Sequence, residues 1–115
     1  MKLFTRLALP LVVGTAIVSM DSAALAANKK PASATIFMEN CSMCHGRNGE
    51  GYPAIKTPNF TDPKWQAAHS DKELMGAIEN GVSGTAMPSF KGKLDHEQME
   101  AMLKYIRSLG EKTKP

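Results

Sequence analysis

The chain has 115 residues, 43% of them hydrophobic and 22% charged, which is the size of one small domain. Its 14 Lys and Arg residues against 11 Asp and Glu residues leave a net charge of +3. A balance this close to neutral gives no reason to expect nucleic-acid binding. A domain of this size has a thin hydrophobic core and often needs an additional stabilising element such as a bound metal or a disulfide.

The N-terminal segment has the layout of a secretory signal peptide. Lys2 and Arg6 form a short basic start. An apolar run follows over residues 7–18, and a small-residue Ala-Leu-Ala motif ends at Ala26. We therefore expect export, with residues 1–26 removed by cleavage. The alternative is a retained membrane anchor, but a spanning helix needs about 20 apolar residues and this run is shorter.

The remaining chain divides into three parts. Residues 27–33 are polar and include Pro31, which predicts a flexible lead-in. The folded domain is expected over residues 34–110, and residues 111–115 form a short C-terminal tail. No internal repeat or low-complexity tract interrupts the domain, so a single fold is expected.

The first helix is predicted from about Ala34 to Cys44, because Phe37, Cys41 and Cys44 share one face of it. Glycines and prolines then mark an irregular loop that is too rich in these residues for a helix. A turn and a short helical segment are expected around Trp65.

The next helix has clear boundaries. Ser70 and Glu73 have the spacing of a capping box at its start, and Asn80-Gly81 is a stop signal at its end. Residues 81–93 then form a second irregular stretch with several glycines and a proline.

The last helix is the most strongly marked. Asp95 and Gln98 have the spacing of a capping box, and Leu94 and Met99 have that of a hydrophobic staple. An apolar stripe follows, and Gly110 is expected to end the helix. No segment alternates as a strand would, so the sequence predicts an all-α fold of three or four helices joined by Gly/Pro-rich loops.

Residues 41–45 spell Cys-Ser-Met-Cys-His, the signature of c-type haem attachment. The thiols of Cys41 and Cys44 lie one helical turn apart, so both can reach the two vinyl groups on one edge of a porphyrin. The imidazole of His45 then lies under the ring, where a nitrogen can bind the iron. We therefore expect one haem c, attached through both cysteines. Attachment of this kind takes place outside the cytoplasm in bacteria, which agrees with the predicted export.

Three alternatives for the cysteines explain less of the motif. A structural disulfide is common in exported proteins but leaves His45 unexplained. A thioredoxin-like redox pair would need βαβ patterning, which the chain lacks. A zinc site would need further paired ligands, whereas His69 and His96 are single and distant in the sequence.

With these residues, positions 33–109 resemble a small bacterial class I monohaem cytochrome c with His/Met iron ligation. Phe37 lies four residues before Cys41, where that family places an aromatic residue on its first helix. Met102 and Tyr105 match the apolar and aromatic pair of the family's last helix. The resemblance implies a cytochrome c-like fold wrapped around one haem, in which the first and last helices cross.

The resemblance also implies two further residues of the haem site. Pro58 stands where the family has a proline whose carbonyl accepts a hydrogen bond from the proximal histidine. Met87 stands in the segment that delivers the sixth iron ligand, between Gly84 and a stiffening proline, and outside any helical stripe. A thioether ligand raises the haem potential, which suits an electron carrier. Met75 and His69 are the reserve candidates for the sixth ligand.

We expect a periplasmic electron carrier that shuttles single electrons between periplasmic or membrane-bound redox proteins. With both axial positions of the iron filled, no site remains for a substrate, so the protein is not expected to be an enzyme. It is expected to be a monomer without a nucleic-acid partner and without stable membrane insertion after cleavage. The main alternative is a haem-bearing subunit of a larger oxidoreductase, for example in sulfur-compound oxidation. A third is a catalytic haem protein with an open iron.

Lys56, Lys91 and Lys93 flank the two loops that would surround the haem. One interpretation is a rim that steers redox partners. The simpler interpretation is that these lysines only keep the protein soluble, given its small net charge. Trp65 is expected to be either a wall of the haem pocket or a core aromatic residue, and the sequence does not decide between them.

Overall fold

The computed structural model describes residues 32–112 together with the isolated Pro10. The rest of the predicted signal peptide, the lead-in up to residue 31 and the last three residues lie outside the described part, so the cleavage site stays a prediction. The helices, in chain order, are α1 (Ser33–Asn40), α2 (Ser42–His45), a short 3-10 helix (Pro53–Ile55), α3 (Pro63–Ala68), α4 (Asp71–Asn80) and α5 (His96–Glu111).

The predicted all-α class is confirmed. Residues 32–112 contain no β-strand, and one isolated bridge joins Lys91 to Leu94. The described part has five α-helices rather than three or four, because the first predicted helix is split and the segment around Trp65 forms the separate helix α3. Within the same range, no helix has the length and apolar composition needed to cross a membrane.

The first predicted helix is split at Cys41. The φ angle of this residue is −119°, which departs from helical geometry. The Ser42 hydroxyl donates a hydrogen bond to the Met38 carbonyl at 2.7 Å. Back-bonding of a hydroxyl to the preceding turn bends helices, so the chain changes direction where the motif begins.

Both predicted capping boxes are present. The Ser70 hydroxyl accepts a hydrogen bond from the Glu73 N–H at 3.2 Å, and the Glu73 carboxylate accepts one from the Ser70 N–H at 2.7 Å. Asp95 and Gln98 form the same reciprocal pair at the start of α5. Each cap contributes about 1 kcal/mol to the stability of its helix. α4 also ends as predicted, with Gly81 as its C-cap.

The prediction that Gly110 ends the last helix is wrong, because α5 continues through it to Glu111. Gly110 is buried, and a β-carbon at this position would lie 2.5 Å from Cγ of Gln66. The glycine therefore allows α3 and α5 to approach closely instead of stopping the helix.

The hydrophobic core includes the packing of α1 on α5, as the resemblance implies, and α3 and α4 also pack on α5. The ring of Phe37 is fully buried, with its centroid 5.2 Å from that of Tyr105. Burying one large apolar side chain contributes about 1.5–3 kcal/mol before the entropy cost. The buried core residues are Ile36, Phe37, Phe60, Leu74, Ile78, Phe90, Leu94, Met99, Met102, Ile106 and Leu109.

Candidate haem site

The Cys-x-x-Cys-His motif forms one tight turn between α1 and the loop that follows α2. The Cys41 carbonyl accepts backbone hydrogen bonds from the N–H groups of Cys44 and His45 at 3.1 and 2.9 Å. The Gly46 N–H then closes α2 by donating to the Ser42 carbonyl at 2.9 Å. The turn therefore brings two thiols and one imidazole together, as the attachment motif requires.

The thiols of the motif do not pair with each other. Both cysteines are free, Cys41 half-buried and Cys44 exposed. Burial raises the pKa of the Cys41 thiol to about 11, whereas reactive redox cysteines have a lowered pKa. Among the described residues, no group of three or more His, Cys, Asp or Glu could hold a metal ion.

The His45 ring packs against Phe60, with ring centroids 4.7 Å apart and planes inclined by 19°. Its Nδ1 atom is buried and has no hydrogen-bond partner within residues 32–112. Burial lowers the pKa of the imidazole, which favours the neutral form that binds metals. A neutral imidazole that directly follows two thiols on one turn is a donor set that fits a covalently attached haem.

Pro58 and His45 both approach Gly51. The Gly51 N–H donates to the His45 carbonyl at 2.7 Å, and a β-carbon on Gly51 would collide with the Pro58 carbonyl oxygen. Nδ1 of His45 has no hydrogen-bond partner among the described residues. Pro58 thus lies near the motif, and the hydrogen bond that the resemblance implies stays a prediction.

Met87 lies on an irregular segment, residues 81–94, which we call the Met87 strap. The strap is tied to α4 by a hydrogen bond from the Phe90 N–H to the Ile78 carbonyl at 3.0 Å. Within the strap, the Val82 N–H donates to the Met87 carbonyl at 3.2 Å. The Met87 side chain is half-buried and packs against the core. Backbone hydrogen bonds therefore hold Met87 at a defined position beside the end of α4.

The two reserve candidates for the sixth ligand are half-buried, as Met87 is. Met75 is half-buried on α4 and packs against the core. His69 is half-buried; its ring stacks on Trp65 with centroids 4.4 Å apart, and its Nδ1 lies 2.8 Å from the Trp65 carbonyl oxygen. The Trp65 ring also lies 5.1 Å from that of Phe60. Trp65 therefore belongs to the aromatic packing behind His45.

Two residues of this region have no role predicted from the sequence. Phe60 supports the His45 ring, and the Gln66 side-chain amide donates to the Phe60 carbonyl at 2.7 Å. The same amide donates to the carbonyl of Ile106 at 2.9 Å, across 40 positions of sequence. No local pattern signals such contacts, because they depend on where α5 returns.

Lys56, Lys91 and Lys93 are all exposed. The Lys93 ammonium lies 5.7 Å from the centroid of the Phe90 ring, a cation–π arrangement. Exposure agrees with both interpretations of these lysines, so the partner-steering rim stays a prediction.

The helical fold and the attachment turn define a domain for electron transfer through a covalently bound haem. A family model described as "Cytochrome c" matches residues 32–110, more than half of the chain. The chain belongs to the cytochrome c family, whose domains are exported and carry covalently bound haem c with its iron.

Curated relatives are similar to this chain over part of their own length. The Cbb3-type cytochrome c oxidase subunit FixP of Bradyrhizobium sp. (strain ORS 278) is 43% identical over 79 residues, covering 69% of this chain and 27% of that subunit. The Cbb3-type cytochrome c oxidase subunit CcoP of Rhodobacter capsulatus is 35% identical over 89 residues. This match covers 71% of this chain and 30% of that subunit. The chain thus spans less than a third of the length of these relatives.

A solved structure supports the fold assignment. The structure titled "KustC0563 c-type cytochrome" matches with a TM-score of 0.63 and 27% sequence identity. The match covers 69% of this chain and 98% of that chain, so the likeness extends over nearly all of a separate small cytochrome.

Proposed function

We propose that this protein is a periplasmic electron carrier that passes one electron at a time through a haem attached at Cys41 and Cys44. His45 and Met87 are assigned as the two axial iron ligands. The observation that carries the proposal is the attachment turn, which joins two free thiols to the half-buried imidazole of His45. Membership of the cytochrome c family supports the electron-transfer role.

The chain's own residues would attach and orient the haem. When bound, the haem supplies the one-electron chemistry. Cys41 and Cys44 offer thiols, one helical turn apart, for two thioether bonds. His45 offers a neutral nitrogen donor, and Met87 offers a soft thioether whose coordination raises the reduction potential. With two axial ligands, the iron has no open position for a substrate, which supports a carrier rather than a catalyst.

The loops beside the motif support haem binding because they expose apolar side chains. Tyr52, just before the 3-10 helix, is 42% exposed, and Ile55, within it, is 58% exposed. Val82 in the Met87 strap is 43% exposed. A large apolar disc such as the haem is a partner that would remove such side chains from water.

Replacing Cys41 and Cys44 together by Ala tests the attachment. The double variant should carry no covalent haem on a denaturing gel stained for haem, because no thioether bond can form. Met43→Leu is the matched control within the motif, since the Met43 side chain is 88% exposed; its haem band should be unchanged. A haem band that persists in the double variant would show that the attachment is elsewhere.

The periplasmic location rests on the layout of the N-terminal segment and on the family's export. We expect the mature protein to be a monomer that is not inserted in the membrane and that meets membrane-bound or periplasmic redox proteins. Mass spectrometry of the purified protein should find an N-terminus at Ala27 and the mass of one haem. An intact Met1 would favour the retained anchor.

A second candidate function is a haem-bearing electron-transfer subunit of a larger oxidoreductase. It is favoured by the relatives, which are named as subunits of cbb3-type oxidases. Gentle purification from cells distinguishes the two candidates. A carrier should elute alone at the mass of one small domain, whereas a subunit should co-purify with its partners in fixed stoichiometry.

A further inference from the structure

We infer that Ser89 is a positioning residue for Met87, because its hydroxyl group holds the base of the Met87 strap against the C-terminal end of α4. The inference rests on the proposed function, in which Met87 binds the haem iron. It adds a residue that belongs neither to the attachment motif nor to the assigned ligands. Its effect is measurable as the ease with which an added ligand displaces Met87.

The end of α4 offers carbonyl groups that need hydrogen-bond donors from outside the helix. The last four carbonyls of an α-helix have no donor within the helix, and in α4 these belong to residues 77–80. The Gly81 N–H donates to the Ala77 carbonyl at 2.9 Å, and the Phe90 N–H donates to the Ile78 carbonyl at 3.0 Å. The strap therefore supplies part of the C-terminal cap of the helix that precedes it.

Ser89 completes this cap with its side chain. Its hydroxyl donates a hydrogen bond to the Glu79 carbonyl at 2.5 Å, although the two residues lie ten positions apart. The same hydroxyl accepts a hydrogen bond from the Lys91 N–H at 3.2 Å, and that N–H also donates to the Glu79 carbonyl at 3.3 Å. We call this set of contacts, made by residues 78, 79 and 89–91, the strap neck. The Ser89 hydroxyl lies at its centre.

The two arms of the strap approach closely at Gly81, beside the strap neck. This glycine has a φ angle of 72°, which side chains rarely adopt. A β-carbon on it would lie 2.7 Å from the Met87 carbonyl oxygen and 2.9 Å from the Ser89 nitrogen. The backbone on both sides of Pro88 therefore lies directly against the residue that ends α4.

Met87 depends on the strap neck because the rest of the strap forms a compact turn. The Met87 carbonyl accepts a hydrogen bond from the Val82 N–H, and the Met87 N–H donates one to the Thr85 hydroxyl, each at 3.2 Å. Both backbone groups of Met87 are thus bonded within residues 82–87, so the placement of this turn is determined where it joins α4. Closing a loop at its base raises the effective concentration of a ligand that the loop carries. The strap neck therefore limits how far the Met87 sulfur can move away.

The test measures how readily imidazole displaces Met87 in the oxidised holoprotein, followed by the loss of the far-red iron–sulfur band. Ser89→Ala should bind imidazole about two- to tenfold more tightly than wild type, the range that corresponds to the net loss of one hydrogen bond. Ser89→Thr keeps a hydroxyl group and should bind imidazole as wild type does. Because Ser89 is exposed, neither substitution should greatly change the stability of the fold.

Ser108→Ala is the matched control. The Ser108 hydroxyl donates to the Tyr105 carbonyl at 2.6 Å on α5, so this variant loses the same kind of hydrogen bond outside the strap and α4. Its imidazole affinity should equal that of wild type. Amide hydrogen exchange gives a second measurement, in which the N–H groups of Phe90 and Lys91 should exchange faster in Ser89→Ala and at the wild-type rate in Ser108→Ala.

Wild-type imidazole affinity in Ser89→Ala would overturn the inference, and so would an equal gain in affinity in Ser89→Thr or Ser108→Ala. A gain in Ser89→Ala without faster exchange at Phe90 and Lys91 would also overturn it, because the strap neck would then be intact. A wild-type oxidised protein that lacks the far-red band would instead refute the assignment of Met87, and with it this part of the proposed function.

Discussion

Nε of Arg107 donates a hydrogen bond to Oδ1 of Asp71 at 2.7 Å, which ties α5 to the first turn of α4. The same guanidinium donates to the carbonyl oxygens of Gln66 and His69 at 2.7 and 2.6 Å. One side chain therefore joins α5 to α3, to α4 and to His69, which lies between them. The Asp71 side chain is 70% exposed, so the carbonyl contacts contribute more to stability than the ion pair does.

Arg107→Leu is expected to lower the free energy of unfolding by about 2–4 kcal/mol. Hydrogen bonds from a charged donor contribute about 1.5–3 kcal/mol each, and water that replaces the guanidinium at the carbonyl oxygens offsets part of the loss. Asp71→Asn removes only the exposed charge and should cost less than about 1 kcal/mol. Denaturant unfolding of both holoproteins, followed by haem absorption, measures the difference. Equal losses would contradict the dominance of the carbonyl contacts.

Gly51→Ala should be more damaging than Gly84→Ala. Both glycines have positive φ, 71° and 76°, where alanine is strained by about 1–2 kcal/mol. At Gly51 the new methyl group would also meet backbone carbonyls, including that of Thr57 at 2.7 Å, whereas nothing lies within 4 Å at Gly84. We expect an additional loss of about 1–3 kcal/mol at Gly51 in thermal unfolding. Equal melting temperatures for the two variants would contradict this, because they would show that the loop carrying Pro58 moves to accommodate the methyl group without loss of stability.

The capping box of α4 predicts a pH dependence. Hydrogen bonds from the Ser70 N–H and hydroxyl hold the pKa of the Glu73 carboxyl below its ordinary value of 4.5. Since the folded pKa is the lower one, the carboxylate stabilises the fold fully above pH 4.5, and this stability is lost as the pH falls through the folded pKa. Wild type should therefore exceed Glu73→Gln in stability at neutral pH and lose that advantage in acid.

Thermal unfolding across this pH range measures the effect. Glu39→Gln, a change of equal charge at an exposed site on α1, is the control and should not show the same loss. A stability difference between wild type and Glu73→Gln that stays constant from neutral to acidic pH would show that the carboxylate charge is unimportant to the cap.

The features that the sequence predicted correctly depend on residues close together in the chain. Ser70 and Asp95 each cap a helix through partners within one turn, so spacing alone identifies them. The features that the sequence missed depend on contacts between distant segments. Gly110 looks like a helix end, but it is the point where Gln66 packs on α5. The stacking of His69 on Trp65, and the hydrogen bond from Arg107 to the His69 carbonyl, likewise depend on contacts that no local pattern signals.

The candidate site divides in the same way. The two cysteines and the histidine of the attachment motif lie within five consecutive residues, 41–45, so the sequence alone identifies the motif. The stacking of Phe60 on His45 is not identified in this way, because the two residues lie on opposite sides of a long irregular loop.

Removal of the haem should unfold most of the domain. The regular helices supply a single thin core, while the loop before α3 and the Met87 strap contain little regular structure. Folding is then coupled to cofactor binding, as in other small metal-dependent domains. Circular dichroism of the Cys41→Ala/Cys44→Ala protein, purified without haem, should show little helix. Helix content equal to that of the holoprotein would show that the core folds unaided.

The most direct test of the central claim, that His45 and Met87 together bind one haem iron, is the far-red absorption spectrum of oxidised Met87→Ala. Iron–sulfur coordination gives a weak band there, and we expect this band to disappear in the variant. Met75→Ala, which truncates the half-buried methionine of α4, should keep it. If Met87→Ala retains the band, another methionine is the ligand and the assignment of the Met87 strap is wrong.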